Sequence, residues 1–195
     1  WNRRRDGSLF LARETVSAVR DSAGGITHFV GAFADETEAE RADLEREALL
    51  AILQAAAASS DLRGFLSRVH EAVGTVLHAR NFFVLLHDPA SGLFESLYWA
   101  DEHDPPPPRL DLGRGCAAYV FRTGLPQLVT PGLFDGLAAR GEVESVGTPA
   151  PSWLGAPLTK EGRPVGVMAV QDYDVPGRYS ERDRAFFGSV AAQVG

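Results

Sequence analysis

The apolar positions of the first 34 residues follow a strand pattern, with Leu9, Leu11, Val16 and Val19 in one run and Ile26, Phe29, Val30 and Phe33 in the next. Between them Asp21-Ser22-Ala23-Gly24-Gly25 predicts a turn, since adjacent glycines accept the positive φ angles of a tight hairpin. A lone two-stranded hairpin is marginal in water. This one is expected to belong to a larger sheet or to pack on the rest of the chain. From Glu36 to Ala58 there is neither Gly nor Pro, and Asp35 or Thr37 can cap the helix that follows. Leu44, Ala48, Ala51, Ala55 and Ala58 recur at the spacing of a coiled-coil seam, with Leu49, Ile52 and Ala56 as a second stripe. Two stripes can serve an internal core and a dimer partner; one wide core-facing stripe is the other reading.

Ser59-Ser60-Asp61 breaks this helix and caps a second, which carries Leu62, Phe65, Leu66, Val69, Val73, Val76 and Leu77 on one side. Phe82-Phe83-Val84-Leu85-Leu86 has no polar alternation, so it predicts a strand covered on both faces, with Leu93 to Trp99 as its hairpin partner. Asp101-Glu102-His103-Asp104 and Pro105 to Pro108 predict an extended surface connection. Ala117 to Arg122 reads as a short helix stopped by Gly124, and Gln127-Leu128-Val129 as a brief strand. Pro131 to Pro151 reads as loop with one helical turn at Phe134 to Ala139. A hairpin runs from Trp153 to Leu158 and back from Val165 to Gln171. Ser180 and Asp183 form a capping box for a last helix with apolar positions Ala185, Phe186, Val190 and Val194. Strands interleaved with helices predict an α+β fold, a mixed sheet covered by helices on both faces.

Composition narrows the function classes. At 195 residues the chain exceeds one ordinary domain of roughly 100 to 150 residues, and one and a half domains are expected. No apolar run approaches the roughly 20 residues of a membrane span. A net charge of −7 opposes attraction to phosphate backbones, so nucleic acid is not an expected partner. Cys116 is the only cysteine, which rules out an internal disulfide and fits a reducing, cytoplasmic setting. The start, Trp1-Asn2-Arg3-Arg4-Arg5, has neither an initiator Met nor the apolar stretch of a secretory signal, and the chain is expected to be part of a longer protein.

Enzyme signatures are missing: there is no phosphate-binding Gly-x-x-x-x-Gly-Lys loop, no Gly-x-Ser-x-Gly elbow and no His-Glu-x-x-His helix. Gly113-Arg114-Gly115 follows a proline run rather than a strand and reads as a helix-entry turn. His87, Asp88, Asp101, His103 and Asp104 have metal-ligating chemistry, but at hairpin ends such residues are normally just solvated, and no metal is expected. His70 and His78 read as surface or edge residues.

Two known modules are resembled in series. Arg-Arg-Asp-Gly-Ser, Val-Arg-Asp-Ser-Ala-Gly-Gly and the Asp35-x-Thr37 exit resemble the C-terminal part of a PAS domain over residues 1–36, followed by a signalling helix over 37–58. Residues from about 44 to 195 resemble a GAF domain, the domain itself being set at 59–195, carried by Phe-Phe-Val-Leu-Leu, Val-Phe-Arg-Thr-Gly-Leu-Pro, Trp-Leu-Gly-Ala-Pro-Leu, Gly-Val-Met-Ala-Val-Gln and Tyr-Ser-Glu-Arg-Asp-Arg. The resemblance implies an antiparallel sheet with the first and last helices on one face, often pairing two subunits, and a small-molecule pocket on the other. It implies a sensory module of a two-component histidine kinase, or alternatively of a diguanylate cyclase, with the output domain outside residues 1–195. The Asn-Lys-x-Phe-Asp-Glu set of cyclic-nucleotide binders and the pigment-site motif of bilin binders are missing. A methionine sulfoxide reductase of this family uses several cysteines, and Cys116 has no resolving partner.

Tyr98, Trp99, Tyr119, Phe121, Phe134 and Trp153 fall on elements that surround the pocket in the resembled fold, and are the expected ligand-binding residues. Aromatic rings suit a flat small ligand; the other reading is that they fill the core, leaving a ligand-free dimerisation spacer. No cofactor is required. A homodimer through the N-terminal and C-terminal helices and an unknown small molecule are the expected partners.

Overall fold

The computed structural model describes residues 1–107, 109–111 and 113–195; Pro108, the last of the proline run, lies outside the described residues. The chain forms two compact units, Trp1–Arg46 and Glu47–Gly195. In the first, β1 (Asn2–Arg3) pairs with β2 (Leu9–Phe10), and β3 (Ala12–Arg20) with β4 (Ile26–Asp35), both antiparallel. The Asp21 carboxylate ties the β3–β4 turn by accepting from the Ala23 and Gly25 amides. The single strand expected from Leu9 to Val19 is divided at Leu11, whose amide leaves the ladder to donate to the Thr37 hydroxyl. Cross-strand register puts Val16, Ala18, Phe29 and Phe33 on one face of this hairpin, all exposed.

Helix α1 (Thr37–Ala58) enters the second unit with Ala48, Ile52 and Ala55 buried. This inward stripe draws members from both predicted seams, and leaves Leu50 and Leu53 about half exposed, at 50% and 51%. α2 (Leu62–Val76) is capped by Asp61, which accepts from the Gly64 amide. A sheet follows, formed by β5 (Asn81–Asp88), β6 (Leu93–Ala100), β7 (Leu110–Asp111), β8 (Gln127–Val129), β9 (Ser152–Lys160) and β10 (Arg163–Asp172). Its spatial order is β7-β6-β5-β10-β9-β8 with every pair antiparallel, the sheet that the resemblance implies, and not the mixed one that element alternation suggested. The helices are not parallel crossovers but covers, which alternation alone cannot distinguish.

Neighbouring strand residues point to opposite faces. Phe82, Val84, Leu154, Met168 and Val170 therefore join Ile52, Leu66, Val69 and Val73, together with Phe187 and Val190 of α5 (Glu181–Val194), in one core. Phe83, Leu85, Trp153, Val167 and Ala169 join Val120 of α3 (Cys116–Thr123) on the other face. α5 starts on the expected capping box, with Ser180 and Asp183 exchanging hydrogen bonds. Its inward side is Phe186, Phe187, Val190 and Ala191, whereas Ala185 is exposed. In place of one expected turn, α4 (Pro131–Ala139) is a full helix: the Thr130 hydroxyl accepts from the Leu133 amide and Pro131 occupies the first turn.

Candidate functional site

Between the α3/α4 face of the sheet and the loops above it lies a cavity of about 630 Å³. That is ample for a small molecule, whose sites run from roughly 300 to 1,000 Å³. Its floor is aromatic. Phe83 and Trp99 stand opposite each other in the β5–β6 register with stacked rings 4.8 Å apart, and Phe94, Trp153 and Phe134 complete the surface. A bulge in β6 makes this floor: Val84 pairs with Tyr98 but Leu85 with Ser96, leaving Leu97 as the extra residue. In a regular strand Phe94 and Trp99 would face opposite sides, and one inserted residue turns both toward the cavity.

The rings are held from behind. The Trp99 indole N–H donates to the Asp104 carbonyl at 2.8 Å. Trp153 folds back along β9 over Gly155, where a Cβ would lie only 2.2 Å from the indole, so the Trp-Leu-Gly motif is a steric unit. Two loops form the wall and are pinned together at Asp104, whose carboxylate accepts from the Thr148 amide and hydroxyl, both at 2.9 Å. Gly147 beside this pin has φ +72°, and a Cβ there would meet Asp104 Oδ2 at 2.6 Å. Asp101 accepts from the Gln171 side-chain amide at 2.7 Å and from the Tyr173 hydroxyl. Burial, together with this bond to Asp101, raises the Tyr173 pKa far above that of an ordinary phenol. Cys116 lines the cavity at the start of α3, and burial pushes its thiol up to about 11, so it is protonated at neutral pH.

Of the six residues expected at the ligand site, Trp99, Phe134 and Trp153 line the cavity together. Tyr98 lies on the opposite face of the sheet, against the helices, its hydroxyl 3.0 Å from His70 Nδ1 and its ring edge-on to Phe82. Phe121 packs behind the cavity against His87 and Phe94, and Tyr119 is half-buried on α3 outside the lining. Sequence reasoning missed Phe83, Phe94 and Gln171, and named Asp104 only as a loop carboxylate, not as part of the cavity wall. Alternation from the Phe-Phe-Val-Leu-Leu strand could have assigned Phe83; nothing local marks Asp104.

Both histidines are half-buried edge residues. His70 stacks on Phe82 at 4.9 Å and its Nε2 donates to the Ala79 carbonyl at 2.6 Å, which leaves Nδ1 to accept from Tyr98 in the neutral ring. His78 sits 3.4 Å from the buried Asp172 carboxylate. Among the described residues no three His, Cys, Asp or Glu side chains are placed to hold a metal ion.

The profile of the GAF domain family matches residues 59–195. The chain belongs to the GAF domain family. Solved GAF structures are similar to it at low identity. The GAF domain of a phosphoenolpyruvate-protein phosphotransferase from Coxiella burnetii superposes with TM-score 0.65 at 18% identity, covering 78% of this chain and 91% of its own. The free methionine-R-sulfoxide reductase of Neisseria meningitidis, solved with its substrate, gives 0.64 at 19% identity over 79% and 87%. A GAF domain from A. aeolicus in an inactive state gives 0.57 at 13% identity over 80% and 93%. Among curated proteins, no sequence matches the chain. The sheet and the helices α2 to α5 that lie within the matched residues thus supply the cavity and most of the core around it. Among the described residues no helix is long and apolar enough to cross a membrane.

Proposed function

We propose that this GAF domain is the sensory and dimerisation module of a cytoplasmic signal-transduction protein of the two-component histidine kinase type. In this reading a small molecule occupies the cavity, and α1 and α5 relay its arrival to an output domain as a change in helix pairing between two subunits. The single observation that carries the reading is the aromatic-floored cavity of about 630 Å³, because a spacer would fill that space with its own side chains. The half-exposed Leu50 and Leu53 on α1 supply apolar surface for pairing. Residues 1–36 act as the closing strands of a PAS domain; the exposed Phe29 and Phe33 are the surface its remaining strands would cover.

The module is non-catalytic. Reduction of methionine sulfoxide needs a thiolate and a resolving cysteine, whereas Cys116 is single and its thiol is held protonated. Native mass spectrometry of the protein purified from cells tests the reading. A dimer that retains a small molecule, released on mild denaturation, is the expected result. A monomer that stays empty when challenged with the cell's own metabolite extract would overturn it.

A further inference from the structure

The charge distribution around the cavity assigns the class of ligand, an inference that rests on the ligand-binding reading above. Among the described residues, four carboxylates line the cavity, those of Asp104, Asp111, Asp135 and Glu144, and no Lys, Arg or His side chain does. Glu144 is paired with Arg114 at 3.3 Å, and Asp104 is spent on Thr148. Asp111 and Asp135 make no ion pair with any described residue.

A second observation points the same way. Gln171 is only 8% exposed and shares the cavity face of β10 with Val167 and Ala169. Its amide nitrogen is committed to Asp101 and Tyr173, which fixes the orientation of the group, since the reverse would set the amide oxygen against a carboxylate. The amide oxygen accepts from no described residue and is not closed off from solvent, so it is free to accept from a donor in the cavity.

The opposing term is the start of α3, whose first residues also line the cavity, and that of α4. Each helix N-terminus is equivalent to roughly half a positive charge, so the pair offsets about one of the carboxylates. The balance stays negative. An anion would face that field without a basic side chain to receive it, whereas a cation gains from the carboxylates, from the free Gln171 amide oxygen and from the faces of Trp99 and Trp153.

We infer that the cavity selects a small organic cation, an amine or quaternary ammonium carried on a compact apolar or aromatic body. Three probes of one shape and different charge test this: phenethylamine, phenethyl alcohol and phenylacetate. Each is titrated into the whole chain carrying Trp1→Phe, so that fluorescence reports on Trp99 and Trp153. Phenethylamine is expected to bind at least about tenfold more tightly than phenylacetate, with the alcohol between, and an Asp111→Asn/Asp135→Asn double variant to reduce that preference about threefold without moving the alcohol. Equal or tighter binding of phenylacetate overturns the charge assignment while leaving the cavity a ligand site. Failure of all three to bind at millimolar concentration removes the ligand-binding reading and this inference with it.

Discussion

Asp172 shows how one residue ties the end of the sheet to the loop that leads into the last helix. Its side chain is 3% exposed, and it accepts from the Asp174 and Val175 amides at 2.8 Å and from Arg178 Nε at 2.6 Å. Burial alone would favour the neutral acid; the hydrogen bonds from Val175, Arg178 and Asp174 outweigh it and hold the pKa below the ordinary carboxylate value. A depressed folded pKa gives stability that is fully present above the unfolded value, about 3.9, and is lost as pH falls through the folded one. Asp172→Asn is therefore expected to cost about 2–4 kcal/mol at neutral pH. In urea unfolding the gap between variant and native protein should narrow below about pH 4; a constant gap would show that ionisation is not the source. Gly155 is the second decisive residue. Gly155→Ala sets a methyl group against the Trp153 indole and should cost about 1–3 kcal/mol while shifting Trp fluorescence to longer wavelength as the ring leaves its seat.

Among the elements, β6 and the loop after it do most to build the site. The bulge at Leu97 turns Phe94 and Trp99 to the same side, and the Asp104 pin to Thr148 holds two loops over them. These loops rest on a few polar bonds rather than on packed core, so they open at low free-energy cost. Removing the pin with Asp104→Ala should raise hydrogen exchange at the Thr148 amide about tenfold or more, and leave the amides of β5 and β10 protected; unchanged exchange at Thr148 would mean that the loops are held by packing instead. α4 shows the same economy of local signals, since Thr130 and Pro131 start a helix whose interior contains Gly132 and Gly136, residues that argue against one.

For the whole molecule, the proposed relay depends on a second copy of the chain. Leu50 and Leu53 are half exposed and contribute little to the internal core, so a Leu50→Glu/Leu53→Glu double variant should shift sedimentation from dimer to monomer while the cavity still takes its ligand. A variant that remains dimeric places the interface elsewhere. The likeness to a methionine-R-sulfoxide reductase concerns the fold, and turnover of free methionine sulfoxide with a thiol reductant is expected to stay at background, with Cys116→Ser no different from the native chain.

The division of labour between sequence and tertiary structure follows from the range of the forces involved. Capping, turns and periodicity act within a few residues, so Asp61, Ser180 with Asp183, Gly124 and the all-apolar Phe82–Leu86 strand were sufficient to place the helices and the buried sheet. Trp99, Phe134 and Trp153 could be placed at the cavity because the resembled fold sets their elements around its pocket. What only the folded chain decided depends on partners far away in sequence. Alternation in β6 would pair Tyr98 with Phe94, yet the bulge sends Tyr98 to the helices, where His70 is 28 positions away, and Trp99 to the cavity. Asp104 finds Thr148 44 positions later, and Gln171 finds Asp101 70 positions earlier. Such contacts are set when strands register against one another, and a one-residue change of register reverses every side chain beyond it.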